Sequence, residues 1–412
     1  MATKNILILG GGNGGTMIAN KLRHELDKDR WNITVIDRDN RHIYQPSMLL
    51  VPFGLDDPKK IVKPRNKYFK PGVNFVQDII ANIDTENRKV TTTSGKVFQY
   101  DFLVVSTGCN PDPEEDEGLP EAMGKNAFTF YNLESTTQLR TALKQFQGGR
   151  IVVDISSLPF KCPVAPLEFS FLADWYFKKR GIRNKVDITF VTPGAGVFTK
   201  PKATAVLSKI VEQKNINTVV NWGLGTVNAK EKWIENMQGN DRINYDLLVV
   251  IPTTIGDKAI SDSGIDDGMG YVPTDHNTLK ATKHDRVYVL GDAANVPTSK
   301  AGSVVHYESE VVLYNILSEI CGGVAMPMFD GHATCFIATE AGSSVLIDFS
   351  YKVEPQHGKF PYAWGPMSLL KDTRMNWYGK KAFSYVYWTA LLPGRNLGDS
   401  AMSWCGKYVD KE

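Results

Sequence analysis

Cysteine is scarce, with five in 412 residues. They stand at irregular spacings and form no CxxC pair, which excludes a secreted disulfide scaffold and a zinc site built on paired thiolates. Excess charge of either sign is missing too. Lys plus Arg number 47 against 45 Asp plus Glu, and a net charge of +2 gives no footing for nucleic acid. Long apolar runs are absent, since nothing approaches the roughly 18 residues that a spanning helix needs. Met1 leads straight into the strand-like Asn5-Ile6-Leu7-Ile8-Leu9, too short for a signal-peptide core, so an intracellular protein body is expected. The chain is too long for one ordinary domain and suggests two to three, each with its own core.

The clearest pattern lies at residues 5–37. The apolar strand enters Gly10-Gly11-Gly12-Asn13-Gly14-Gly15, which fits GxGxxG through Gly10, Gly12 and Gly15. Met17, Ile18, Leu22 and Leu26 follow near helical spacing, and Asn32-Ile33-Thr34-Val35-Ile36 forms a second strand ending at Asp37. A dinucleotide site needs this order. Gly10 permits the tight turn, Gly12 lets the backbone approach a pyrophosphate, and Gly15 lets helix and strand pack closely. The phosphates then meet the helix amides and the positive end of its dipole. Asp37 is placed to accept from ribose hydroxyls.

The motif alone does not separate FAD from NAD. Tyr100-Asp101-Phe102-Leu103-Val104-Val105-Ser106-Thr107-Gly108 resembles the strand and "ATG" segment of two-dinucleotide flavoproteins. Arg286-Val287-Tyr288-Val289-Leu290-Gly291-Asp292-Ala293-Ala294 resembles their second FAD motif, in which the Asp after Gly meets the ribityl chain. The resemblance implies FAD held by Gly10, Gly12, Gly15, Asp37, Thr107, Gly108, Gly291 and Asp292. Asp292 could also cap the helix that follows. Near residue 150, where such proteins open a second site for NAD(P)H, the strand Arg150-Ile151-Val152-Val153-Asp154-Ile155 runs into Ser156-Ser157-Leu158-Pro159-Phe160-Lys161-Cys162-Pro163. No glycine stands where GxGxxG belongs, and two prolines with bulky neighbours would keep a pyrophosphate off the backbone. Later strands at 186–191 and 246–250 keep the α/β pattern, so the domain persists without its nicotinamide site.

A cysteine sits where that phosphate loop would be. Lys161-Cys162-Pro163-Val164-Ala165-Pro166-Leu167-Glu168 and Gly331-His332-Ala333-Thr334-Cys335-Phe336-Ile337 resemble the paired-cysteine segments of sulfide:quinone oxidoreductases and of the flavocytochrome c sulfide dehydrogenase flavoprotein. The resemblance implies that hydrosulfide attacks a Cys162–Cys335 bridge, leaving a persulfide on one cysteine and a thiolate on the other. The thiolate then passes electrons to the flavin, with Glu168 handling protons. Three departures bear on this. The segment Phe128–Glu134 lacks the third cysteine of many members, Tyr44-Gln45-Pro46-Ser47-Met48 lacks the cysteine that binds FAD covalently in the dehydrogenase branch, and no histidine stands near residue 200. Cys321 and Cys405 read as small buried hydrophobes, and the role of Cys109 stays open.

Pro297-Thr298-Ser299-Lys300-Ala301-Gly302 resembles the family's segment beneath the flavin ring, where Lys300 and a helix N-terminus stabilise negative charge on the reduced flavin. The stretch Trp377–Leu392 mixes aromatics, aliphatics and paired lysines, as does an amphipathic helix lying in a membrane interface. Phe349, Phe360, Tyr362, Trp364 and Tyr385 are aromatic candidates for a quinone site.

The expectation is an α/β protein with two Rossmann-like domains of the flavoprotein disulfide reductase type and a C-terminal membrane-docking segment. Residues 1–115 and 240–325 form the FAD domain, 116–239 the second domain, and 326–412 the redox-cysteine and quinone region. The expected activity is sulfide:quinone oxidation at a membrane surface, the protein being peripheral, with polysulfide as product, no metal, and homo-oligomers allowed. The enzymatic alternative is a type II NADH:quinone oxidoreductase. The non-enzymatic one is a sulfide- or redox-sensing flavoprotein that does not turn over.

Overall fold

Strand β1 (Lys4–Leu9), helix α1 (Asn13–Glu25) and strand β2 (Trp31–Asp37) open the computed structural model, which describes residues 3–326 and 328–395. Strands β3 (Val73–Gln77) and β4 (Phe102–Val105) join them. The second unit brings β5 (Ala127–Phe128), β6 (Gly149–Ile155), α2 (Ala165–Lys179), β7 (Val186–Val191), β8 (Asn217–Val219) and β9 (Leu247–Ile251). Then come β10 (Val287–Val289), α3 (Gly302–Ile320), β11 (Ala333–Glu340), β12 (Ser343–Phe349), β13 (Gly358–Phe360), β14 (Met367–Leu369) and α4 (Arg374–Val386).

Two five-stranded parallel sheets result. The first runs β10-β4-β1-β2-β3 and the second β5-β9-β6-β7-β8. Their central strands read as unbroken apolar runs because both faces are covered: every residue of Phe102–Val105 and of Leu247–Ile251 is buried. Because β9 pairs with β6 from Ile151↔Leu247 to Ile155↔Ile251, the chain is still in the second sheet after residue 240. By sheet membership the boundary drawn at 240 moves past 251, and the chain regains the first sheet at β10, beside β4. The apolar run at 246–250 alone could not show this, since an apolar strand fits either sheet.

A third, mixed sheet, β11-β12-β14-β13, carries Cys335. It packs against α2 on one side, and α4 crosses β11 and β12. In this way two helices and one strand bring the Cys162, Cys335 and α4 segments together from distant parts of the sequence. Cys405 lies outside the described residues.

Candidate active site

The glycine loop is shaped by contacts that leave no room for side chains, except at one position. Gly10 has φ +88, and a Cβ there would stand 2.4 Å from the Ser106 carbonyl oxygen. At Gly15 a Cβ would stand 1.8 Å from the Gly10 carbonyl oxygen. At Gly12 a Cβ would meet nothing within 4 Å. Gly12 therefore borders open space at the start of α1, where a pyrophosphate fits the dipole and the free amides. Ser106 locks the loop by donating to the Leu9 and Gly10 carbonyls, both at 2.9 Å. Thr107 presents a buried hydroxyl without a partner among the described residues, as a cofactor-facing donor would.

Asp37 is already engaged. Its Oδ2 accepts from the Gly11 N–H at 2.7 Å and pairs with Arg65, while Oδ1 accepts from the Asp39 N–H at 2.9 Å. Sequence reasoning missed Arg65, which lies in a short 3-10 turn with no motif around it. Burial pushes its guanidinium down to about 10.

Asp292 does not cap the following helix. It sits in a one-turn 3-10 segment, Gly291–Ala293, while α3 begins ten residues later with Ala301 as its N-cap. Its neighbours are instead the cysteine loop and Lys300. Lys161 Nζ lies 3.9 Å from Asp292 Oδ2, and Lys300 Nζ donates to the Asp292 and Ala294 carbonyls at 2.9 and 3.1 Å. Lys300 also stands 4.1 Å from the centre of the Tyr271 ring, so it is a packed, engaged lysine. Gly291 N–H donates to buried Glu308 at 2.5 Å, whose pKa burial raises to about 7.

Cys162 is strapped to this same segment. Its N–H donates to the Lys300 carbonyl at 2.8 Å, and Lys161 bridges Lys300 as a strand would. The backbone at Cys162 is left-handed, with φ 47, a conformation that a non-glycine residue keeps only when its surroundings impose it. Tyr131 helps impose it, donating its hydroxyl to the Lys161 carbonyl at 2.7 Å. The loop folds over the start of α2, where Ala165 N–H donates to the Cys162 carbonyl at 2.9 Å. That amide would face phosphate in a nicotinamide site.

Cys335 lies within electrostatic reach of Cys162 across this junction. Both are free thiols, one buried and one partly so. Burial is the main cause that raises each, Cys162 to about 12 and Cys335 further, and after burial the charge of Cys162 is what most raises Cys335. Glu168 sits in the first turn of α2, 2% exposed, and pairs with Lys380 of α4 at 2.7 Å. Burial raises its pKa and Lys380 opposes the rise. Cys109, also buried and pushed up to about 12, lies beside Tyr271, Asp292, Lys161 and Lys300. Cys321 contradicts the buried reading: it caps the exposed end of α3, where the chain leaves the core.

The tail does two things. Its inner side packs on the glycine-loop unit: Tyr387 donates to Asn13 Oδ1 and accepts from His42 Nε2, both at 2.5 Å, and Asn20 donates to the Leu392 carbonyl at 2.9 Å. Its outer side leaves Met375, Tyr378 and Tyr385 exposed. Of the other aromatic candidates, Tyr362 and Trp364 stack on each other at the surface, whereas Phe349 is buried edge-on to Phe198. No described helix is long and apolar enough to cross a membrane.

Burial also makes this region acid-sensitive. His42 and His306 both have pKa values lowered to about 4, chiefly by burial. A histidine depressed in the folded state loses its proton on folding, so its contribution is whole above pH 6.5 and lost as pH falls towards 4. Each site is worth at most about 3 kcal/mol over that window. Urea midpoints should therefore drop steeply between pH 6.5 and 4, and His306→Gln should flatten part of the slope. A midpoint that is constant across the window contradicts this.

Known proteins share this fold. The sequence profile of pyridine nucleotide-disulphide oxidoreductases matches residues 4–306. The mitochondrial sulfide:quinone oxidoreductase of Dictyostelium discoideum is 30% identical over 96% of this chain and 88% of its own length. A type II NADH:quinone oxidoreductase of Staphylococcus aureus is 22% identical over 84% of this chain and 90% of its own. The crystal structure of the Aquifex aeolicus sulfide:quinone oxidoreductase superposes with a TM-score of 0.82 at 18% identity, covering 100% of this chain and 96% of that one. The glycine cradle, the paired cysteine segments and these likenesses converge: the chain belongs to the pyridine nucleotide-disulphide oxidoreductase family, within its sulfide:quinone oxidoreductase group.

Proposed function

We propose that this protein is an FAD-dependent sulfide:quinone oxidoreductase working through Cys162 and Cys335. The observation that carries the reading is the backbone strap from Cys162 to Lys300, which ties the cysteine loop to the segment holding Gly291 and Asp292. Gly10, Gly12, Gly15, Asp37, Thr107, Gly108, Gly291, Asp292 and Lys300 hold the cofactor; the open space at Gly12 and the unpartnered Thr107 hydroxyl support this fit.

Hydrosulfide attacks the Cys335 sulfur of a Cys162–Cys335 bridge. The S–S bond breaks, Cys335 becomes a persulfide, and Cys162 leaves as a thiolate on the flavin side. A second hydrosulfide removes the outer sulfur as a disulfide anion, the first polysulfide, and frees the Cys335 thiolate. Loss of two electrons from the two thiolates restores the bridge. The chemistry that FAD supplies when bound is acceptance of that electron pair and its delivery to quinone, which takes up two protons. Glu168, buried beside Cys162 with its pKa raised, holds and returns the proton of the incoming sulfide. The exposed Tyr378, Tyr385, Met375, Tyr362 and Trp364 support docking of the C-terminal region on a lipid surface, where a quinone is reached without a spanning helix.

With sulfide and a short-chain quinone, one quinone should be reduced for each disulfide anion formed, trapped by cyanide as thiocyanate. Absence of sulfide-dependent quinone reduction sinks the proposal. Tyr387 adds a cofactor prediction. Tyr387→Phe leaves His42 Nε2 and the Asn13 side-chain Oδ1 unpaired, a cost of about 1–3 kcal/mol. Flavin should dissociate roughly tenfold more easily on dilution, read by its recovered fluorescence. Unchanged retention would mean that the tail does not support the loop.

A further inference from the structure

The sulfur centre takes its cation from the far end of the chain. Lys380 belongs to α4, yet its side chain is only 13% exposed. Its Nζ lies 2.7 Å from Glu168 Oε1 and donates to the Phe336 carbonyl at 3.1 Å. Glu168 stands in the first turn of the helix that follows the Cys162 loop, and Phe336 is the residue after Cys335. One ammonium group thus bridges the two segments that carry the cysteines. The approach is built in by the preceding residue. A Cβ at Gly379 would stand 2.4 Å from Met367 Sδ and 3.0 Å from the Phe336 ring, so a larger residue would have to displace side chains of β14 and β11.

We propose that Lys380 is the positioning cation of the sulfur centre, stabilising the thiolate released when the Cys162–Cys335 bridge opens. The proposal rests on the reading of these two cysteines as the redox pair. Lys380 makes and breaks no covalent bond; it supplies charge where charge appears.

The electrostatics require such a group. A thiolate in a buried site is unfavourable unless a cation faces it. The charged and titratable groups that face the pair are Glu168 from α2, Asp292 from the second flavin segment, each cysteine for the other, and Lys380 from α4. Tyr131 stands near Cys162 and Glu168 as well, but burial pushes its phenol well up, and it stays neutral. Glu168 and Asp292 oppose a thiolate at Cys162, and among the described residues Lys380 is the cation that favours a thiolate at both cysteines. Lys161 and Lys300 act on Cys109.

The test reads thiol ionisation, not turnover. Reduced holoenzyme is alkylated with iodoacetamide, a small neutral reagent, across a pH series. Modification of the Cys162 and Cys335 peptides is followed by mass spectrometry. Lys380→Met should raise the midpoint by about one pH unit and slow alkylation tenfold at a fixed pH below it. Lys380→Arg should restore most of the wild-type profile. Glu168→Gln keeps the shape of the site, removes the opposing charge, and should move the midpoint down. Wild-type profiles in Lys380→Met, or shifts of one sign in both Lys380→Met and Glu168→Gln, overturn the proposal. If Lys380→Met loses its flavin, Lys380→Gln takes its place, with the same upward shift expected and a wild-type profile again overturning the proposal. Failure of the redox reading would show separately, as serine variants of the cysteines that still oxidise sulfide.

Discussion

Cys162→Ser removes sulfide-driven flavin reduction, with a rate loss of roughly 10³-fold or more, the scale on which loss of a reacting nucleophile acts. Serine keeps the shape of the residue but cannot form a disulfide or leave as a soft thiolate. The strap to Lys300 runs through backbone atoms, so it survives the change and flavin content should stay at the wild-type level. Cys335→Ser should fail to the same degree, because a bridge needs both sulfurs. The double variant should be no worse than either single one, since residues acting as a unit are not additive. Cys321→Ser is the control: exposed at the end of α3, it should change nothing. Sulfide bleaching of the flavin, followed by stopped flow, measures all four. Normal bleaching in either Cys162→Ser or Cys335→Ser would exclude the pair as the entry point.

Gly12→Ala and Gly15→Ala should separate cofactor binding from folding. At Gly15 the new methyl would lie 1.8 Å from the Gly10 carbonyl oxygen and 2.7 Å from Ser106 Oγ, so backbone must move. Overpacking of this kind costs about 1–3 kcal/mol or more, and the protein should lose both flavin and thermal stability. At Gly12 the methyl meets no protein atom within 4 Å. That variant should fold with wild-type thermal stability in the flavin-free state yet bind flavin at least about tenfold more weakly, because the methyl occupies the space for the pyrophosphate. Flavin-to-protein ratio and melting temperature, measured together, check both. Full flavin content in Gly12→Ala would contradict the cradle assigned here.

Much of this was legible in the sequence where chemistry is local. The glycine loop, its strand and helix, and the strand leading into Ser106-Thr107-Gly108 follow from spacing and apolar patterning, and they lie where that patterning puts them. What was not legible depends on partners far apart in the chain. Lys380 read only as half of a lysine pair in an amphipathic helix, because nothing around residue 380 records the buried carboxylate of Glu168. Arg65 and Tyr131 were missed for the same reason: each reaches a residue more than two dozen positions away, Asp37 and Lys161. A helix cap stayed open as a second reading of Asp292 because the distance to α3 is invisible in a loop of mixed composition. The tail was read as a helix lying in a membrane interface, and its two sides in fact differ, Tyr387 inward and Tyr385 outward.

The central claim is that electrons enter from sulfide at the cysteines and not from a nicotinamide. The most direct measurement mixes the oxidised protein anaerobically with sulfide in one experiment and NADH in another while the flavin absorbance is followed. Rapid bleaching by sulfide alone, reversed on adding a soluble quinone, is the predicted result. Bleaching by NADH with no response to sulfide would contradict it, and residues 150–163 would then have to form a nicotinamide site without glycines.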